Sequence, residues 1–379
     1  MIYLDNAATS FPKPESVYRA LDSFARTSLA NPGRGGHRMA LAAERVLHDC
    51  RHRLNQMFHG ADPDRFILTL NCTDALNMAI KGVIEPGDHV VTTNLEHNSV
   101  LRPLRALECA GTITVTRVDA DFGGTVSPAA IQSALTPHTK LVAVSHASNV
   151  LGSVQAIDEI GAIVRNHGDL FLVDAAQTAG VVPIDITAHN IDLLAIPGHK
   201  SLFGPTGTGA LYVGKRANLR PWREGGTGGD SASELQPREF PHYLEGGTPN
   251  VLGVAGLIAG LQFVVERGIE AIHEHETQLA ERLREWLADI PGANVFGHAN
   301  PARRVGTLSF RLDPLSPAEV GAILDESFDI AVRPGLHCAP KIHRALGSFP
   351  DGLVRVSPGP FNTADEIDKL ADALTQIVQ

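Results

Sequence analysis

Residues 193–209 read LLAIPGHKSLFGPTGTG, a short apolar run that leads into a glycine-rich bend. The apolar run predicts a buried strand, and Lys200 follows directly after its end. A lysine at this position, preceded by Gly198 and His199, suits a chemical role better than the solvation of a surface. The stretch therefore predicts both a strand of a central sheet and a functional amine beside it.

A second apolar run, FLVDAAQ at residues 171–177, contains the carboxylate of Asp174. Pyridoxal phosphate requires an amine that reacts with its aldehyde and a carboxylate that holds its pyridinium nitrogen. Lys200 and Asp174 supply these two groups. The two runs together predict a site for this cofactor.

Seven apolar runs between residues 64 and 214 alternate with helical patterns and predict strands. They lie at residues 66–70, 89–93, 112–118, 141–144, 171–173, 193–196 and 210–213. Continuous apolar strands separated by helices indicate a mostly parallel sheet covered on both faces. We therefore expect an α/β protein whose large domain contains a mostly parallel seven-stranded sheet.

The pattern changes after a long helical stretch at residues 250–287. Short strands at 306–311, 330–333 and 353–356 then alternate with helices at 316–327 and 363–378, which predicts a smaller C-terminal α+β domain. We expect residues 1–15 to be an N-terminal segment that packs with the small domain. Residues 16–255 would form the large domain and residues 256–379 the small one.

Composition limits the function of the chain. Its 379 residues are 43% hydrophobic and 20% charged, with a formal net charge of −10. An acidic chain is poorly suited to bind nucleic acid or an anionic membrane and is typical of an enzyme for small molecules. No apolar stretch approaches the roughly 20 residues that span a bilayer. The N-terminus has no signal-peptide pattern, so a cytoplasmic location is expected.

The polar residues that follow the predicted strands form one set. Ligands of open α/β sheets bind at the carboxyl ends of the strands, and that is where Thr73, His97, Asn149, Asp174, Gln177 and Lys200 fall. Thr73 opens a helix, so it is either an ordinary N-cap or part of a phosphate site. His97 is either a helix-start histidine or a ring stacked on a flat cofactor.

Seven motifs in family order resemble the cysteine desulfurase group of class V, fold-type I pyridoxal-phosphate enzymes. They are LDNAAT (4–9), EHNS (96–99), SNVLG (148–152), VDAAQ (173–177), GHK (198–200), GGTPN (246–250) and RPGLHCA (333–339). The resemblance covers essentially the whole chain. It is closest to the branch whose cysteine loop reads Arg-x-Gly-His-His-Cys-Ala.

The resemblance implies a set of cofactor contacts. Lys200 would bind the cofactor covalently and then move protons. Asp174 would pair with the pyridine nitrogen, Gln177 would donate to the ring oxygen with Asn149 nearby, and His97 would stack on the ring. The phosphate would be held by Thr73 and His199, and by Thr248 of a neighbouring subunit, which implies a homodimer.

The resemblance also implies the substrate contacts. Arg355 would clamp the α-carboxylate of L-cysteine, a task that suits the guanidinium fork. Asn149 would lie beside it, and Arg34 and His37 belong to a loop that resembles one near the substrate entrance. L-selenocysteine is a second candidate substrate, and the protein that accepts the sulfur is not indicated.

Cys338 decides the reaction that the resemblance implies. Its thiolate would attack the sulfur of the bound substrate, leaving alanine and a persulfide on the enzyme. His337 and Arg333 are candidate sources of positive charge for that thiolate. The alternative interpretations are an incidental loop cysteine and, with His343, a metal ligand, which the lack of further ligands at zinc spacing disfavours.

Three residues depart from the family pattern. Leu336 stands where the branch has the first of two histidines, and Pro197 stands where a hydroxyl residue is common. Cys72, counted here among the cofactor-binding residues, stands where a threonine often precedes Thr73. None of the three removes a group that the reaction requires.

Two other functions stay open from the sequence. A class V aminotransferase or a kynureninase-like lyase would use the same cofactor, but neither needs a thiol at residue 338. A non-catalytic sulfur carrier or scaffold would need none of Lys200, Asp174, His97 and Arg355.

Overall fold

The structure is a computed structural model that describes residues 1–33, 36–228 and 232–379. Its largest sheet has seven strands in the order β2-β8-β7-β6-β5-β3-β4. Only β8 runs antiparallel to its neighbours; the other pairs are parallel. The strands are β2 Phe66–Thr69, β3 His89–Thr93, β4 Thr114–Val118, β5 Thr139–Ser145, β6 Leu170–Asp174, β7 Leu193–Pro197 and β8 Gly209–Val213. This confirms the predicted mostly parallel, seven-stranded sheet.

Helices cover both faces of this sheet, as the continuous apolar strands predicted. They are α1 Glu15–Thr27, α2 Arg38–Met57, α3 Cys72–Val83, α4 Asn98–Cys109, α5 Pro128–Ala134, α6 Ile157–His167 and α7 Val251–Arg267. One apolar core joins the sheet to α2, α6 and α7, and a second joins the opposite face to α3 and α4. Two buried layers fix the positions of the strand ends.

The helical stretch predicted at residues 250–287 is two helices. The second, α8, spans Ile269–Asp289, and the pair bends by 81° between them. Gly268 lies at the break with φ 86°, a backbone conformation that glycine adopts without a Cβ penalty. Within the described residues no single helix is both long and apolar enough to cross a membrane, and only this bent pair would qualify, by length and composition alone.

A second, four-stranded antiparallel sheet follows, in the order β12-β13-β10-β9. Its elements and neighbours are β9 Ala293–Phe296, β10 Leu308–Leu312, α9 Pro317–Phe328, β11 Ile330–Ala331, β12 Arg333–Gly335, α10 Pro340–Ala345, β13 Leu353–Val356 and α11 Ala364–Val378. The N-terminal strand β1 (Ile2–Tyr3) pairs in parallel with β11. The domain boundaries at residues 15 and 255 stay a prediction.

Candidate active site

A cavity of about 270 Å³ opens at the carboxyl ends of the parallel strands. It brings together ten of the residues singled out in the sequence: Cys72, Thr73, His97, Asn149, Asp174, Gln177, His199, Lys200, Cys338 and Arg355. Their convergence follows from the sheet, because the parallel strands β3, β5, β6 and β7 all end at this edge.

Lys200 lies three residues beyond β7 on a tightly fixed turn. The turn is held by Gly198 N, which donates to Thr208 O at 2.8 Å, and by Ser10 Oγ, which donates to Lys200 O at 2.8 Å. Burial lowers the pKa of the Lys200 amine, and the nearby Arg355 charge lowers it further. A lowered pKa increases the neutral fraction of the amine, which is the nucleophilic and basic form.

Asp174 ends β6 and is almost fully buried, at 4% exposure. Its Oδ1 accepts from Ala176 N at 2.9 Å and from Cys72 Sγ at 3.4 Å. Burial raises the pKa of the Asp174 carboxyl, and the Lys200 charge opposes that effect. A cationic partner would therefore favour the ionised carboxylate. The Cys72 side chain contacts this carboxylate, a partner that the sequence did not indicate.

The N-terminus of α3 also faces the cavity. Asn71, rather than Thr73, is the N-cap of α3, since its Oδ1 accepts from Asp74 N at 2.9 Å. Thr73 is the second residue of the helix, and its Oγ1 lies 2.7 Å from Ser99 Oγ. Backbone N–H groups of a first helical turn favour an anion, so this end of the cavity suits a phosphate.

His97 is the N-cap of α4, as its helix-start interpretation expects, and it also lines the cavity; stacking of its ring on a cofactor stays a prediction. Its Nδ1 accepts from Ser99 N at 3.1 Å. Burial lowers the pKa of His97 to about 4, with a smaller contribution from the Lys200 charge. The ring is therefore neutral at pH 7.

His199 and Gln177 are held by the N-terminal segment. His199 Nδ1 lies 3.2 Å from Thr9 Oγ1, and burial lowers its pKa to about 4. Gln177 Nε2 donates to Ala7 O at 3.2 Å. Both contacts lie within the stretch that follows β1, so the N-terminal segment forms part of the wall of the cavity.

Arg355 lies on β13, so the second sheet contributes the main cation of the cavity. Its guanidinium is 3% exposed and donates from Nη2 to Asp5 Oδ1 at 2.7 Å and from Nη1 to Asn149 O at 3.0 Å. Burial lowers the pKa of Arg355, whereas Asp5 raises it. The site thus presents a buried guanidinium beside Lys200, as carboxylate binding requires.

Cys338 lies between β12 and α10 with an exposed side chain. Its neighbour His337 is buried, and burial lowers the pKa of His337 to about 3. His337 is therefore neutral at pH 7 and supplies no positive charge to the thiol. Arg333 also lines the cavity, with about half of its side chain exposed, and stays a candidate for that role.

Thr248 and His37 do not line this cavity. Thr248 is exposed on a separate cavity of about 630 Å³ that Gly33, His48 and Arg223 also line. His37 is exposed as the N-cap of α2. Arg34 lies outside the described residues.

Sequence reasoning missed several residues of the site, including Asp5, Asn71, Ser99 and Lys13. Lys13 Nζ donates to Ser10 Oγ and to His199 O, both at 2.7 Å, and burial lowers its pKa to about 8. Asp5 stands in the motif LDNAAT, but its partner Arg355 is 350 residues away. Asn71 is itself a local signal of the start of α3, because asparagine is a favoured N-cap residue.

The residues present fit pyridoxal phosphate. The cavity holds a buried amine with a lowered pKa, a buried carboxylate, a flat neutral ring at His97 and a helix N-terminus suited to an anion. Within the described residues no cluster of three or more His, Cys, Asp or Glu side chains is placed to hold a metal ion. The site is therefore suited to an organic cofactor that carries an aldehyde and a phosphate.

Comparison with known proteins agrees with this chemistry. The aminotransferase class-V family model matches residues 2–370. A probable cysteine desulfurase of Methanothermobacter thermautotrophicus is 37% identical over 382 residues, covering 99% of this chain and 94% of the relative. A probable cysteine desulfurase of Halalkalibacterium halodurans is 33% identical over 383 residues, covering 99% and 92%.

Solved structures of the same group superimpose closely. The apo cysteine desulfurase of Thermococcus onnurineus has a TM-score of 0.94 at 32% identity, covering all of this chain and 94% of that one. The cysteine desulfurase CsdA of Escherichia coli, in an S-sulfonic acid form, has a TM-score of 0.90 at 28% identity, covering 100% and 95%. The chain belongs to the class V aminotransferase family and, within it, to the cysteine desulfurases.

Proposed function

We propose that this chain is a pyridoxal-phosphate-dependent cysteine desulfurase, which converts L-cysteine to L-alanine and transfers the sulfur to Cys338. The observation that carries the proposal is that Cys338 and Lys200 line one cavity with Asp174 and Arg355. An aminotransferase would need Lys200, Asp174 and Arg355, but its reaction does not use a thiol such as that of Cys338. Family membership supports the same conclusion.

The cofactor would be held by residues from three strand ends. Lys200 would bind its aldehyde, Asp174 its pyridine nitrogen and the first turn of α3 its phosphate, with Thr73 and His199 beside it. When bound, pyridoxal phosphate acts as an electron sink for charge that develops at the substrate Cα. His97 would pack against the ring while remaining neutral, because its pKa is lowered to about 4.

Lys200 and Arg355 would handle the substrate. The Arg355 guanidinium would bind the α-carboxylate, which places the substrate Cα toward the amine of Lys200. Because burial lowers the pKa of that amine, a larger neutral fraction can accept the Cα proton and later return a proton to carbon. Arg355 lies on β13 of the second sheet and Lys200 follows β7 of the first, so both sheets are needed to form the site.

Cys338 would carry out the sulfur transfer. Its thiolate attacks the substrate Sγ, a sulfur–sulfur bond forms and the Cβ–Sγ bond breaks. The electron pair of the broken bond stays with Cβ, which is protonated. The enzyme thiol and L-cysteine thus give an enzyme persulfide and L-alanine, with no external oxidant or reductant.

The active unit is proposed to be a homodimer. Thr248 is exposed on a cavity separate from Lys200, which supports the proposal that it contacts the cofactor phosphate of a neighbouring subunit. His37 is likewise exposed and does not line the cavity of its own chain; its place near the substrate entrance is part of this proposal. A cytoplasmic location and L-selenocysteine as a second substrate are part of the same proposal.

The test is product analysis with L-cysteine and a thiol reductant. The proposal predicts equal amounts of L-alanine and sulfide. Cys338→Ala should keep the yellow colour of the bound cofactor but should form neither product. Cys109→Ala is the matched control, because Cys109 is also exposed and lies at the far end of α4. A yellow protein without alanine formation would favour the aminotransferase or lyase, and a protein that never binds the cofactor would favour the scaffold.

A further inference from the structure

The backbone at the nucleophile is strained. His337 and Cys338 have φ values of 49° and 58°, so two consecutive non-glycine residues lie in the left-handed region. That region is unfavourable for residues with a Cβ and persists where surrounding contacts hold it. The contacts that hold these two residues therefore determine where the Cys338 thiol points.

The carbonyl of each strained residue accepts a hydrogen bond from a donor outside the cysteine loop. Asn149 Nδ2 donates to His337 O at 2.6 Å, and Asn98 N donates to Cys338 O at 2.7 Å. Asn149 follows β5, and Asn98 is the first residue of α4. Neither donor belongs to the cysteine loop, so the loop conformation depends on its docking to another part of the protein.

Asn149 is well placed to act as a fixed support. Its side chain is 9% exposed, and its backbone oxygen accepts from Arg355 Nη1 at 3.0 Å. One residue thus contacts both the guanidinium proposed to clamp the substrate and the loop that carries the nucleophile. The side-chain amide of Asn149 therefore holds the cysteine loop, and a residue that only lay near the cofactor ring would not need this contact.

We propose that Asn149 is a positioning residue for Cys338. Its side-chain amide and the backbone N–H of Asn98 together hold the cysteine loop (residues 333–339) against the cavity, and this pair of hydrogen bonds is called the latch below. The functional meaning of the latch rests on the proposed desulfurase activity. The latch itself is a property of the substrate-free protein. It is therefore measured without turnover.

The measurement is the rate at which iodoacetamide alkylates Cys338 in cofactor-saturated protein without substrate, followed by peptide mass mapping. A Cys109→Ser background removes the other exposed thiol. Asn149→Ala removes the side-chain donor. Asn98→Pro removes the backbone donor together with the Asn98 side chain. Proline suits the first position of a helix, and His97, at φ −67° and ψ 155°, has the conformation favoured before proline.

We expect each variant to be alkylated about fivefold faster than the parent, the change that one net hydrogen bond would give. Asn94→Ala is the control, because Asn94 is also a buried asparagine that follows a strand of the large sheet but bonds Ala120 N instead of the cysteine loop; its alkylation rate should match the parent. Parental or slower alkylation of Asn149→Ala overturns the proposal. If that variant does not fold, the same result for Asn98→Pro overturns it.

The activity of the parent is assayed separately, so the two proposals fail independently. A parent that forms no alanine refutes the desulfurase assignment whatever the alkylation rates are. An active parent whose Asn149→Ala variant keeps the parental alkylation rate refutes the latch alone.

Discussion

The carboxylate of Asp5 lies 2.7 Å from the guanidinium of Arg355, across 350 residues of sequence. Both side chains are largely buried, and a second bond joins Arg355 to the backbone oxygen of Asn149. A substrate carboxylate that binds Arg355 therefore meets a guanidinium whose charge is already partly neutralised. The Asp5 carboxylate of the N-terminal segment thus weakens the attraction of Arg355 for the substrate carboxylate.

Asp5→Asn should lower the KM for L-cysteine several-fold, because the Arg355 charge is then left for the substrate. The same change should destabilise the substrate-free protein by about 1–3 kcal/mol, since a buried cation loses its counter-ion. Steady-state kinetics and thermal unfolding measure the two effects. Asp22→Asn is the control, because Asp22 forms an exposed pair with Arg26; an unchanged or higher KM in Asp5→Asn would contradict this role.

Gly198→Ala should disturb the Lys200 turn. A Cβ at residue 198 would lie 2.2 Å from Thr208 Oγ1 and 2.8 Å from Thr208 Cβ, so the turn must move. Overpacking of this kind costs about 1–3 kcal/mol, and the displaced amine should retain the cofactor less well. Absorbance after dialysis and thermal unfolding measure both effects.

Gly225→Ala is the matched control for that variant, because none of the described residues has an atom within 4 Å of a Cβ at residue 225. It should retain the cofactor and unfold as the parent does. Full retention of the cofactor by Gly198→Ala would show that the close approach to Thr208 does not fix the turn.

Glu276 should make stability depend on pH. It is 7% exposed on α8, and burial raises its pKa to about 8. Between its unfolded pKa of 4.5 and about 8 the unfolded chain binds fewer protons than the folded one. The contribution of Glu276 to the free energy of unfolding therefore falls as pH rises through this window.

Glu276→Gln should accordingly stabilise the protein by about 4 kcal/mol at pH 7.5, and by almost nothing near pH 4.5. Denaturant unfolding at the two pH values measures the difference. Glu285→Gln, an exposed position on the same helix, should show little effect at either pH. Equal effects of Glu276→Gln at both pH values would contradict the raised pKa.

The sequence was most informative where physical signals are local. The run at residues 89–93 is confirmed as β3 and that at 353–356 as β13, because continuous apolar residues mark buried strands. The helical pattern after residue 250 does not show the break at Gly268, since a single glycine is a weak stop signal. The strand β9 was missed because its residues are only partly buried.

Within the site, the sequence indicated residues that are proposed to carry chemistry but not the residues that hold them in place. Lys200 and Asp174 follow apolar runs and can be recognised from that pattern. The contacts of Asp5 with Arg355 and of Asn149 with the cysteine loop join segments that only the fold brings together. Such pairs leave no periodic signal in a single sequence.

Borohydride reduction of cofactor-saturated protein, followed by peptide mapping, tests the central claim most directly. Reduction makes the bond between an amine and the cofactor aldehyde permanent. We expect one pyridoxyl-phosphate adduct, on the peptide that contains Lys200, and none there in Lys200→Ala. An adduct on another lysine, or none at all, would contradict the central claim.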